Sequence, residues 1–121
     1  MNSTIPNGVH SVINAKLTGS TFRDVCLGDA RFDDVNLKGA TFHDINLAGA
    51  KFENVNLSGV EITDANVTGA TFHDINLTGA KFDNVNLSGV EITDANVTGM
   101  KIDGILVTDL FAAYQRIKSS Q

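Results

Sequence analysis

Apolar residues recur along this chain with a period of five. The positions ending in 2 or 7, from Val12 to Val107, number twenty, and all twenty are apolar. The positions ending in 0 or 5, from His10 to Ile105, are apolar except at His10 and Ser20, so 38 of these 40 residues are apolar. The remaining 60 residues of the same stretch include only four apolar ones, Ile13, Cys26, Ala48 and Leu106. A helix of 3.6 residues per turn cannot keep a strict period of five on one face, and a glycine every ten residues weakens it further. A plain strand cannot keep it either, because its side chains alternate with period two. Three extended residues followed by a corner do satisfy it: two side chains point inward, then the corner resets the phase. Corners of one hand wind such a chain into a coil whose inward side chains fill the axis. Its backbone groups then pair with the coils above and below.

A longer repeat overlies the short one. Residues 41–70 and 71–100 differ only at Ala48/Thr78, Glu53/Asp83 and Ala70/Met100. Units such as Ala50-Lys51-Phe52-Glu53-Asn54, Val55-Asn56-Leu57-Ser58-Gly59 and Ala95-Asn96-Val97-Thr98-Gly99 resemble the pentapeptide-repeat family motif, A-(D/N)-L-x-x, and the resemblance spans residues 10–109. It implies an all-β solenoid, a right-handed four-sided β-helix with four units per coil. Twenty units then make five coils, a stack about 24 Å long at the usual strand spacing. The domain organisation expected is an N-terminal arm over 1–9, the solenoid over 10–109 and a C-terminal capping helix and tail over 110–121.

Four units per coil fix the inward columns. Phe22, Phe42, Ile62, Phe82 and Ile102 stack on one side, and Val12, Phe32, Phe52, Phe72 and Ile92 on the opposite one. Each Phe is preceded by Ala or Ser at the other inward position, and Ile62 by the larger Val60, so a constant cross-section is filled. Corners alternate between Gly, as at Gly39 and Gly59, and Asp or Asn, as at Asp44 and Asn54. Gly suits the positive φ of a type II turn, and the Asp and Asn corners are expected to take negative φ. Outward Asn columns are expected to hydrogen-bond as ladders along the stack. Glu61 and Lys81, one coil apart, are expected to pair on the surface.

The repeat stops before Leu110-Phe111-Ala112-Ala113-Tyr114-Gln115-Arg116-Ile117. Leu110, Ala113, Tyr114 and Ile117 follow helical spacing, with Thr108 or Asp109 ahead of them as a cap and Arg116 and Lys118 in the last turn. This predicts a helix at roughly 109–118, docked on a fifth coil lined by Ile102, Ile105 and Val107. One coil end cannot bury the whole apolar set, because Phe111 lies about 100° round the helix from Leu110. A homodimer through either end is therefore expected, with Leu110, Phe111, Tyr114 and Ile117 as the preferred contact. Residues 1–9, with only Met1, Ile5, Pro6 and Val9 apolar or proline, are the other end that needs cover.

Charge narrows the function. Residues 1–109 hold seven Lys and Arg against fourteen Asp and Glu, a net of 7 − 14 = −7. No basic patch exists for phosphate contacts, so nucleic-acid binding is excluded. No apolar run reaches the length of a membrane span or signal core, which points to the cytoplasm and to no membrane partner. Cys26 is alone, so no intrachain disulfide or cysteine zinc site can form; it is expected outward, between Lys16 and Asn46. His43 and His73 lie one and a half coils apart on opposite faces and cannot share an ion. The aspartates Asp24, Asp44 and Asp64, with Asp34, Asp74 and Asp94, form a candidate acidic surface on what is expected to be a convex exterior. No catalytic, cofactor or metal residues are assigned, and no enzyme activity is expected. The reading is a structural or protein-interaction module with an acidic surface. The best-known family members resemble B-form DNA in shape and charge, bind type II topoisomerases and protect against quinolones, so gyrase is the alternative partner that the resemblance implies. A remoter alternative is an ice- or surface-binding solenoid, from arrays such as Asn66-Val67-Thr68 and Asn76-Leu77-Thr78.

Overall fold

The computed structural model describes residues 11–13 and 15–119. The N-terminal arm over 1–9 and His10 lie outside the described residues. Strands β1 (Ser11–Ile13), β2 (Thr21–Arg23), β3 (Arg31–Asn36), β4 (Thr41–Asn46), β5 (Lys51–Asn56), β6 (Glu61–Asn66), β7 (Thr71–Asn76), β8 (Lys81–Asn86), β9 (Glu91–Asn96), β10 (Lys101–Ile102) and β11 (Ile105–Leu106) precede one helix, α1 (Val107–Ser119). Odd-numbered strands stack as β1-β3-β5-β7-β9, and the others as β11-β10-β8-β6-β4-β2. Pairing between coils is parallel with an offset of twenty residues, as in Phe32↔Phe52 and Phe42↔Ile62. Bonds from Leu37 N–H to the Asn56 carbonyl (2.8 Å) and from Leu47 N–H to the Asn66 carbonyl (2.7 Å) continue the ladder round the other two sides. The fold is a β-solenoid of five coils with a short C-terminal helix.

The axis is filled as the columns predict. Phe32, Phe52 and Phe72 stack nearly parallel with centroids 4.6 and 4.7 Å apart, and Phe22 lies 4.8 Å from Phe42. These distances match the spacing of paired strands, about 4.7–4.9 Å, so each ring rides on its own coil. Ala30, Ala40, Ala50, Ala70 and Ala80 are buried in the same core, and Val60 with Ile62 replaces one small–large pair.

Two sequence expectations about the exterior are corrected. Asp and Asn corners do not take negative φ: Asp44, Asn54, Asp64 and Asn84 have φ of 53–54°, against 69–72° at Gly59 and Gly99. Asn and Asp enter the left-handed region more readily than other side chains, so they share with Gly a corner of the same sign. Bonding separates the two kinds. The Gly corners close a four-residue turn, as Ala40 N–H does on the Leu37 carbonyl at 3.0 Å, whereas strand pairing resumes directly on both sides of the Asp and Asn corners. The outward Asn residues do not form ladders either. Asn56 Oδ1 accepts from the Ser58 amide (3.0 Å), and Asn76 Oδ1 accepts from both the amide (3.0 Å) and hydroxyl (2.6 Å) of Thr78. Each Asn thus secures the turn two residues ahead within its own coil.

The C-terminal end also differs from expectation. Asp103 and Gly104 both have positive φ (49° and 79°), and β11 turns back antiparallel on β10. Positive φ at both central residues is the geometry of a type I′ hairpin. The helix therefore starts at Val107, and Thr108 and Asp109 lie in its first turn instead of ahead of it. Val107 is buried, while Ile105, expected to line the docking surface, is 52% exposed. Helix α1 follows directly from β11.

Candidate functional site

The expected acidic surface resolves into two corner columns. Asp24, Asp44 and Asp64 continue into Asn84 on the β4–β6–β8 side, and Asp34, Asn54, Asp74 and Asp94 make up the other. An Asn ends the first run of carboxylates and interrupts the second, and each donates to one of them: Asn84 Nδ2 lies 2.6 Å from Asp64 Oδ1, and Asn54 Nδ2 lies 3.5 Å from Asp34 Oδ1. The exterior is not simply convex. Asp34, Asp74 and Asp94 line a shallow open trough floored by Val35, Val55 and Ile75. The trough forms because the inward residue beside each of these corners is medium-sized and the outward neighbours are short Asp and Asn.

Among the described residues, the ion pairs within 4.0 Å all involve histidine. Glu61 and Lys81 are register partners yet form no such pair; an exposed pair of long side chains gains too little to be held. His43 lies on β4 and His73 on β7, in different sheets, so they share nothing. Each instead meets the corner carboxylate 21 residues ahead. His43 Nδ1 is 3.8 Å from Asp64 Oδ2, and its Nε2 is 3.4 Å from Asp44 Oδ2. His73 Nδ1 is 3.6 Å from Asp94 Oδ2 and 2.9 Å from Thr93 Oγ1. His43, Asp44 and Asp64 thus form a cluster that the sequence reading missed, although spacings of one and of twenty-one residues signal it. The two carboxylates approach opposite ring nitrogens, and Arg23 is the register partner of His43. Ligand atoms on opposite sides of the ring, with a guanidinium beside them, do not converge on one shared cation. Cys26 pairs with Asn46 as expected, but Lys16 pairs with Asn36, half a coil away, and is not its neighbour.

At the C-terminal end the expected contact residues come together only in part. Leu110 and Phe111 form one wall of an apolar groove of about 430 Å³ whose other walls are Val90, Ile92, Ala95 and Val97. Tyr114 and Ile117 extend along the helix beyond it, both exposed, with Lys118 Nζ 5.9 Å from the Tyr114 ring centre. Met100, Ile102 and Val107 of the last coil line the same groove, so the helix covers the coil end in part. Its first turn is tied to the hairpin at Val107, and Ile92 of β9 stays exposed.

A family profile for the pentapeptide repeat region matches residues 11–82, and a second, for eight copies of the pentapeptide repeat, matches residues 72–109. The chain belongs to the pentapeptide-repeat family. Pentapeptide-repeat proteins are generally structural or interaction modules and not enzymes. This pentapeptide-repeat chain is similar to HetL from the cyanobacterium Nostoc, a protein involved in heterocyst differentiation regulation, at 23% identity over 79% of this chain and 48% of that one, with a TM-score of 0.42. It is similar to a pentapeptide repeat protein of the Arabidopsis thaliana thylakoid lumen at 27% identity over 86% of this chain and 73% of that one, TM-score 0.47. QnrB1, a plasmid-mediated fluoroquinolone resistance protein, is similar at 19% identity over 80% of this chain and 74% of that one, TM-score 0.37. The chain spans about half the length of HetL. No curated protein matches it.

Proposed function

We propose that this chain is a non-enzymatic protein-interaction module, a stiff acidic rod that works through its outward side chains and its open end. One observation carries the reading: the solenoid is tightly filled along its length but left apolar at its C-terminal end. Phe72 is 1% exposed, whereas Ile92, the next residue in the same column, is 38% exposed. A contiguous apolar patch rimmed by polar residues marks a surface that another macromolecule covers. Residues fixed on a stacked ladder lose little further freedom on binding, which favours rigid docking.

The reading is tested by capture from a lysate of the source organism on the immobilised protein. Wild type, Phe111→Asp and an Asp34→Asn/Asp74→Asn variant are compared. A stoichiometric protein partner that one of the variants loses is the expected result. Retention of the same proteins by all three, at background level, would contradict it.

A second reading, in which the rod takes the place of DNA on a type II topoisomerase, is favoured by the six aspartates in two columns. Magnitude ranks it below the first. Duplex DNA as long as the expected stack, about 24 Å, carries on the order of 14 charges, against the −7 of residues 1–109. A gyrase supercoiling assay decides it: inhibition or quinolone protection at micromolar protein supports the mimic, and unchanged supercoiling ends it.

A further inference from the structure

We propose that the free edge of β9 takes up an extended segment of another protein as a parallel strand, with a basic, an aromatic and a medium-sized apolar residue at its first, second and fifth positions. The inference rests on the interaction-module reading and names the chemistry of the partner.

The internal duplication places one strand in two settings. β9 (Glu91–Asn96) has the same six residues as β6 (Glu61–Asn66), Glu-Ile-Thr-Asp-Ala-Asn, and Val90 and Val97 flank it as Val60 and Val67 flank β6. β8 sits on the outer edge of β6, whereas β9 is the last strand of its sheet. Burial follows that difference. Ile62 is 1% exposed against 38% at Ile92, and Val60 and Val67 are buried while Val90 and Val97 are half-buried. Val67 N–H and Gly69 N–H donate to the Asn86 and Ser88 carbonyls at 2.9 and 2.8 Å. Among the described residues, the equivalent amides of Val97 and Gly99 have no backbone acceptor. Open strand groups beside uncovered apolar side chains are what strand addition uses, with backbone bonds for affinity and alternate side chains for specificity. The other sheet ends in β11, which offers only two residues against the six of β9.

The strand seated on β6 shows what fits such an edge. Its register sets Lys81 on Glu61, Phe82 on Ile62 and Val85 on Ala65, and Asn84 Nδ2 donates to Asp64 Oδ1 at 2.6 Å. The same register on β9 puts an aromatic ring over Ile92, in the groove that Leu110 and Phe111 wall. It puts the fourth residue of the segment at Asp94, whose carboxylate faces His73 in the coil beneath. Glu91 and Asp94 are the charged groups of this strand, and no Lys or Arg lines the groove. A basic first residue is therefore matched, and an acidic one is opposed.

The probe is a synthetic peptide of residues 80–89, Ala-Lys-Phe-Asp-Asn-Val-Asn-Leu-Ser-Gly, capped at both ends and carrying a fluorophore. Fluorescence polarisation against the full chain is expected to give saturable binding with a Kd of about 10–100 µM. Bound peptide is expected to slow hydrogen exchange at the Val97 and Gly99 amides by about tenfold or more. Phe82→Ala in the peptide is expected to weaken binding about tenfold. Glu91→Lys in the chain is expected to weaken it about threefold, and Lys81→Glu in the peptide to recover that loss. Absence of saturable binding overturns the proposal, as does equal binding of a scrambled peptide or binding that leaves both amides unprotected. Two chains by light scattering, with both amides already protected in the free protein, would give the edge to a second copy and also overturn it. If the peptide fails yet Phe111→Asp still loses a captured protein, the strand proposal fails while the interaction-module reading stands.

Discussion

Corner residues in this solenoid are chosen for positive φ first and for side-chain chemistry second. Asp29 illustrates this, standing at a Gly-type corner with φ of 61°. Gly69 has φ of 70° and open space where a Cβ would be placed, so substitution there reports backbone conformation alone. Gly69→Ala is expected to cost about 1–2 kcal/mol, and Gly69→Asn only a few tenths, because Asn tolerates the left-handed region. Urea midpoints at constant slope measure the difference; equal costs would contradict the conformational account. At this scale the inward positions were legible, since the period of five sorts them almost without exception. The sign of φ at the Asp corners was not legible, because Asp suits both negative-φ turns and the left-handed region, and only the ladder geometry decides between them. The Asn columns misled in a similar way. Side chains one coil apart sit close enough to bond, but the amide two residues ahead in the same coil, as at Ser58, is the partner Asn56 reaches.

Elements were legible wherever the twenty-residue offset held and failed where it stopped. Ile102, Ile105 and Val107 keep the apolar spacing of the repeat, which hid the reversal at Asp103–Gly104. The Asp-Gly dipeptide, a strong short-range hairpin signal, was the available clue. The hairpin directs the helix, since Val107 N–H bonds the Met100 carbonyl at 3.0 Å and α1 follows at once. Gly104→Val places a β-branched residue at φ of 79°, where it is strained. We expect it to release the helix: ellipticity at 222 nm falls toward that of a chain lacking α1, while the coils keep a cooperative transition about 1–2 kcal/mol less stable. An unchanged helical signal would show that the hairpin does not set the helix.

For the molecule as a whole, the 30-residue duplication explains why the end, more than any side, is the candidate contact. β4, β5 and β6 recur as β7, β8 and β9, each in the opposite sheet, so the copy lengthens the rod without repeating a face. Of the three differences between copies, Ala48/Thr78 and Glu53/Asp83 are on the outside, whereas Ala70/Met100 is in the core. Met100 is 1% exposed and sits above Ala80 in the terminal coil, where a larger side chain fills space that no further coil supplies. The net charge of −7 over residues 1–109 keeps such rods apart along their sides. Small-angle X-ray scattering of the wild-type chain tests this account most directly, because it reports mass and shape together. It is expected to give a rod with the cross-section of a single coil, at least as long as one stack with its helix. A compact particle, or chains side by side with the cross-section doubled, would contradict it.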